Sequence, residues 1–211
     1  MTDKNKKNRV VKAWVHQHVN DTYVNQAQKD GYRSRAAYKL LEIDKEDGIF
    51  HNVKVVVDLG CAPGSWSQVA LNKVGLSGKV IGVDLLEIDP ISRLNFIHGD
   101  FTEQTTLDKL LQAIDNKEVD LVISDMAPNL SGIKNVDQAR SAYLVELALD
   151  FSRGYLKAGG HCLIKVFQGS EFDELVKLAR NLFTQVLIRK PEASRSKSKE
   201  VYLLCKSKKP V

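Results

Sequence analysis

Four charged residues occupy positions where a charge needs a reason. Lys165 interrupts the apolar run LIKVF, Asp125 closes VDLVISD, Glu200 opens the run VYLLCK, and Lys39 lies within AAYKLLEI. Lysine is almost never fully buried without a partner, so Lys165 is either half of a structural ion pair or a working group. Three further carboxylates, Asp58, Asp84 and Asp100, follow apolar runs ending VVVDL, VIGVDL and NFIHGD. Acids at the ends of parallel strands accept hydrogen bonds from ribose hydroxyls, and one after the third run can meet an adenine amino group. The combination points to a nucleoside cofactor lying beside a cluster of opposed charges.

The turn after Asp58 reads DLGCAPGSW. Gly60 lets the chain turn and Gly64 lets a ligand approach the backbone. The G-x-G-x-x-G spacing of dinucleotide sites is missing, and no G-x-x-x-x-G-K-[ST] phosphate loop occurs. A nucleoside without a diphosphate fits better, and S-adenosylmethionine is the natural candidate.

These residues need a scaffold that gathers strand ends. Apolar runs at 53–59, 79–85, 94–99, 119–125, 161–167, 184–189 and 201–206 read as strands, and most are continuous rather than alternating, as expected for strands buried on both faces. Amphipathic stretches alternate with them, so the expected fold is α/β: a Rossmann-like, mostly parallel seven-stranded sheet with helices on both faces. The long stretch VDQARSAYLVELALDFSRGYL is expected to end at the glycine stop KAGG. Only KPEASRSKSKE separates the last two strands, too little for a parallel crossover, so the last strand is expected to be antiparallel. Its start, Glu200, then falls at the carboxyl edge of the parallel strands beside Asp125 and Lys165, and Lys39 reaches the same rim from the helix before the sheet.

With 211 residues and no second core or long linker, residues 1–211 are expected to form a single domain. No apolar run approaches the ~20 residues needed to cross a bilayer. Cys61, Cys162 and Cys205 form no C-x-x-C pair, which argues against a disulfide framework or a metal site and suits a reducing cytoplasm. Nothing in the sequence suggests an obligate dimer, so a monomer is expected. The net charge is +5, but residues 1–35 hold eight Lys/Arg against three Asp/Glu, and residues 189–211 hold eight against two. Two basic ends on an acidic body suit a polyanion such as RNA, and the 1–35 segment is expected to face it.

Long segments carry a resemblance. YVNQAQKDGYRSRAAYKL, VVDLGCAPGSWSQ, DFTE, SDMAPNLSG, YLVELAL, LIKVFQG and RKPEASRSKSKEVYLL resemble the FtsJ (RrmJ) family of ribosomal RNA 2′-O-ribose methyltransferases along essentially the whole chain. The resemblance implies a catalytic tetrad of Lys39, Asp125, Lys165 and Glu200. It also implies S-adenosylmethionine contacts at Gly64, Trp66, Asp84, Asp100 and Asp125. The sequence departs at Cys61 and Ser65, where the family can have alanine and often has glycine; both remain small, so an intact pocket is expected.

In such an enzyme a ribose 2′-oxygen attacks a methyl on a sulfonium in line, and positioning supplies much of the rate. Lys165 is the candidate base or orienter, with Lys39 and Glu200 fixing the ribose and Asp125 holding Lys165 and the cofactor. The implied substrate is a uridine in the A loop of bacterial large-subunit (23S) rRNA, presented on an assembling subunit. A tRNA 2′-O-methyltransferase and a non-catalytic RNA-binding assembly factor are the alternatives. Base amino-group methylation fits less well, because DMAPN lacks an aromatic to stack the base, and cytosine methylation would need a cysteine nucleophile outside the fold's strands and cofactor turn. Arg33, Arg35, Arg195 and Lys197, flanking the tetrad, are expected to hold phosphates.

Overall fold

The computed structural model describes residues 21–115, 118–129, 131–196 and 198–210. Two helices, α1 (Thr22–Asp30) and α2 (Ala36–Asp47), precede the sheet. There follow β1 (Val55–Leu59), α3 (Ser65–Val74), β2 (Lys79–Asp84), β3 (Leu94–His98), α4 (Gln104–Ile114) and β4 (Val119–Ser124). The chain continues through α5 (Lys134–Tyr155), β5 (Leu156–Phe167), α6 (Phe172–Leu182), β6 (Phe183–Arg189) and β7 (Glu200–Lys208).

All seven strands join one sheet in the order β3-β2-β1-β4-β5-β7-β6. β1 pairs in parallel with both β2 and β4, so the strand order reverses there and opens a crevice at the carboxyl ends. β7 is antiparallel to β5 and to β6, between which it lies. The expected antiparallel strand is therefore inside the sheet, and β6 forms the edge.

Every residue of β1 and β4 is buried, which explains their unbroken apolar runs. One face packs Val57, Ile164 and Leu203 against Leu110 of α4, Leu149 of α5 and Leu175 of α6. The other packs Val56, Leu163 and Leu204 against Leu40 of α2 and Trp66 and Val69 of α3. Each fully buried side chain of this size contributes about 1.5–3 kcal/mol relative to exposure.

KAGG does not stop α5 as expected. The helix ends at Tyr155, and Leu156 already pairs with Val119 of β4. Lys157 to Gly160 lie within β5 at a register shift, between the Leu156 and His161 pairings with β4, and Gly159 takes a φ of +80° there. Among the described residues no helix is long and apolar enough to cross a membrane. The three cysteines are free and buried.

Candidate active site

The sheet brings all four tetrad candidates to one rim. Lys165 sits directly opposite Tyr202 on β7, on the face covered by α2 and α3. Its side chain is 7% exposed; Nζ donates to the backbone oxygen of Asp125 and lies 3.0 Å from the Asp125 carboxylate. Glu200 starts β7 and, the strand being antiparallel, lands at the carboxyl edge opposite Phe167. From α2, Lys39 reaches across and places Nζ 2.6 Å from Glu200 Oε1.

One residue ties these two ion pairs together. The Tyr202 hydroxyl donates to Asp125 Oδ1 at 2.8 Å, with Glu200 Oε1 3.2 Å away. Burial, followed by the charges of Asp125 and Glu200, holds the phenol well above its usual pKa, so it remains a donor. Tyr202 was not singled out in the sequence, although it follows Glu200 by two and must share its face of the strand. Burial pushes Glu200 up, but Lys39, the Lys165 charge and the Ser194 hydroxyl outweigh it and hold the carboxyl below its usual range. Glu200 is therefore an anion that keeps Lys39 aimed into the rim.

Across Asp125 lies a cavity of about 650 Å³ at the β1/β4 switch point, lined by Asp84, Asp100, Phe101, Asp125, Met126 and Tyr143 among others. That size suits a nucleoside-sized ligand. Asp84 accepts from the amides of Ala62 and Leu86, each at 2.8 Å, and Asp100 accepts from the amide and hydroxyl of Thr102. These bonds fix both carboxylates, and their remaining lone pairs can take ribose hydroxyls or an amino group. Gly60 lines the cavity with φ +74°, and a Cβ there would lie 2.3 Å from Met126 Cγ.

Two expected contacts are placed differently. Gly64, at φ +106°, is the N-cap of α3 and abuts Ile91 and Arg33, outside the cavity lining. The Trp66 indole is 2% exposed; it donates to the Ala36 carbonyl at 2.8 Å and packs 5.6 Å from the Tyr202 ring. Two residues after the N-cap, its side chain follows the buried face of α3 and packs into the core.

Asp58 lies beneath the pocket and does not line it. It is fully buried and accepts from Ser67 Oγ at 2.6 Å, while Oδ1 has no partner among the described residues. Burial raises its pKa to about 7, against the Ser67 bond and with help from the Asp125 and Asp84 charges.

The basic rim also differs from expectation. Arg33 donates to the carbonyls of Pro63 and Pro90, at 2.9 and 3.0 Å, and so clamps the cofactor turn to the β2–β3 loop. Arg35 is bound to Asp21 and to the Ala193 carbonyl. Lys197 and residues 1–20 lie outside the described residues.

Residues 32–208 match the FtsJ-like methyltransferase family. Ribosomal RNA large subunit methyltransferase E of Methylobacillus flagellatus is 58% identical over 193 residues, which is 92% of this chain and 93% of that protein. The Neisseria gonorrhoeae protein of the same name is 54% identical, covering 94% of this chain and 96% of its own. Among solved structures, a Plasmodium falciparum protein described as a ribosomal RNA methyltransferase superposes with a TM-score of 0.74 at 34% identity. It covers 84% of this chain and 98% of its own. Aeropyrum pernix fibrillarin, solved with natively bound S-adenosyl-L-methionine, shares the fold at 16% identity and a TM-score of 0.55, over 82% of this chain and 75% of its own.

Proposed function

From the premise that the chain belongs to the FtsJ-like methyltransferase family, whose members use S-adenosylmethionine, we propose that it methylates a ribose 2′-hydroxyl of large-subunit ribosomal RNA. The observation that carries this reading is the double position of Asp125. It lines the nucleoside-sized cavity, and the same residue binds Lys165 Nζ through its carbonyl and its carboxylate. Cofactor site and proton-handling lysine therefore meet at one residue.

S-adenosylmethionine supplies an electrophilic methyl group on a sulfonium sulfur. The residues fit it: Asp84 and Asp100 offer oriented carboxylates for its ribose and adenine. Lys165 in its free-amine form takes the 2′-hydroxyl proton on its lone pair, and the ammonium so formed is held by the Asp125 carboxylate. Lys39, held by Glu200, contacts the ribose, and Tyr202 keeps Asp125 and Glu200 in register across the rim. This machinery aims the oxygen and removes its proton, and alignment of the two reacting atoms supplies the rest.

The relatives named ribosomal RNA large subunit methyltransferase E support the RNA substrate. The target we assign is a uridine of 23S rRNA on an assembling subunit, in the cytoplasm, a setting that suits three unpaired cysteines. Lys165→Ala should abolish methyl transfer in a single-turnover assay while S-adenosylmethionine affinity stays within about twofold. Retained turnover would sink the role given to Lys165.

A further inference from the structure

Beside the tetrad lies a second cavity, of about 260 Å³, that the transfer step does not use. Lys39 and Glu200 belong to both, and Ser34, Arg35, Arg195 and Ser198 line the remainder. The turn carrying Arg195 is held firmly. The buried Ala193 donates its N–H to Glu42 at 3.0 Å, and its carbonyl accepts from Arg35. Ser194 donates its hydroxyl to Glu200 at 3.0 Å, the Glu200 amide donates to Ser198 Oγ at 3.1 Å, and Lys190 donates to the Ser198 carbonyl at 2.7 Å.

The charges around this cavity are unevenly answered. Arg35 has Asp21 and Lys39 has Glu200. Among the described residues no hydrogen bond or ion pair engages the Arg195 guanidinium. Arg195 also lies close enough to Arg35 to oppose its charge: burial first, and then Arg195, lowers the Arg35 pKa. The Ser198 oxygen accepts from Glu200, which leaves its proton free to donate. Two guanidiniums and a free hydroxyl donor around one cavity, with the nearest carboxylate already bonded to Lys39, Ser194 and Tyr202, form a receptor for an oxyanion.

Building on the methyl-transfer reading above, we propose that this cavity holds one RNA backbone phosphate, the one adjoining the ribose that is methylated. The shared Lys39–Glu200 pair places the phosphate and the reacting ribose side by side. Because the two are covalently joined, gripping the phosphate fixes the rotation of the ribose and hence the approach of its 2′-oxygen to Lys165. Arg195 supplies the paired N–H fork that two phosphate oxygens accept, and the anion relieves the repulsion between Arg195 and Arg35.

The test compares wild type, Arg195→Gln and Arg195→Lys on large ribosomal subunits that lack the methyl group, over a salt series, with S-adenosylmethionine affinity measured separately. Arg195→Gln should raise KM about tenfold at low salt, the loss expected for a charged hydrogen bond. It should also flatten the slope of log KM against log[salt] by about 0.7–0.9, the signature of one lost phosphate contact. Arg195→Lys should keep the slope and lose part of the affinity, and cofactor affinity should not move in either variant. An unchanged slope in Arg195→Gln, or a parallel loss of cofactor affinity, overturns the phosphate site. If wild type transfers no methyl group to these subunits, the activity assigned above fails instead; the same slope, read by filter binding of the rRNA, then decides the phosphate site alone.

Discussion

Replacing Asp58 with Asn should remove one source of stability loss at rising pH from this protein. The wild-type carboxyl is fully buried under the cofactor turn and its pKa rises from 3.8 to about 7. Between those values the folded chain keeps a proton that the unfolded chain releases. The folded state therefore binds more protons, and stability falls as pH rises through that window, levelling off once the folded carboxyl has also ionised. With those two pKa values and ~1.4 kcal/mol per unit, raising the pH from 5 to 8 costs wild type about 2–3 kcal/mol through this one group. Asn is neutral throughout, nearly isosteric, and can still accept the Ser67 hydrogen bond. Urea unfolding of both proteins at pH 5 and pH 8 measures the difference, and all other titrating groups are common to the two. The Asn variant should gain about 2–3 kcal/mol on wild type between the two pH values. Curves that stay parallel across this range would refute the buried, proton-holding carboxyl.

Two further substitutions probe the cofactor turn. Arg33→Gln removes the donors to Pro63 and Pro90 and should weaken S-adenosylmethionine binding about fivefold, equivalent to ~1 kcal/mol. Calorimetry for the cofactor and filter binding for RNA would show a smaller loss for RNA; the opposite order would make Arg33 an RNA contact. Gly60→Ala combines a φ of +74° with a Cβ 2.3 Å from Met126 Cγ, and should cost about 1–3 kcal/mol of stability. A thermal melt with unchanged Tm would contradict the tightness of that turn.

The central strands were legible because they are apolar on both faces, as the wholly buried β1 and β4 show, whereas the edge strands β3 and β6 are only partly buried. The antiparallel pairing of β6 and β7 was legible too, since the link between them is too short for a crossover. α1 was not: TYVNQAQKD buries only Ala27 and carries no apolar stripe. The tetrad could be placed from strand ends and one strand direction, both of which the sequence pattern encodes. Tyr202 hid because a tyrosine in a strand reads as core, and its ring does pack on Trp66 while its hydroxyl bridges the carboxylates. Trp66 and Arg33 were placed by motif and by charge, but their contacts are set by partners far along the chain, the carbonyls of Ala36, Pro63 and Pro90. Side-chain direction of that kind is a tertiary property, and spacing within a motif does not carry it.

The most direct measurement of the central claim follows a labelled methyl group. The purified protein is incubated with S-adenosylmethionine carrying that label and with large ribosomal subunits lacking the modification, and the rRNA is then digested to nucleosides. The account predicts label on a ribose 2′-oxygen of one uridine in 23S rRNA, and none with Lys165→Ala. Label on a base, or no transfer by the wild-type protein, would contradict it.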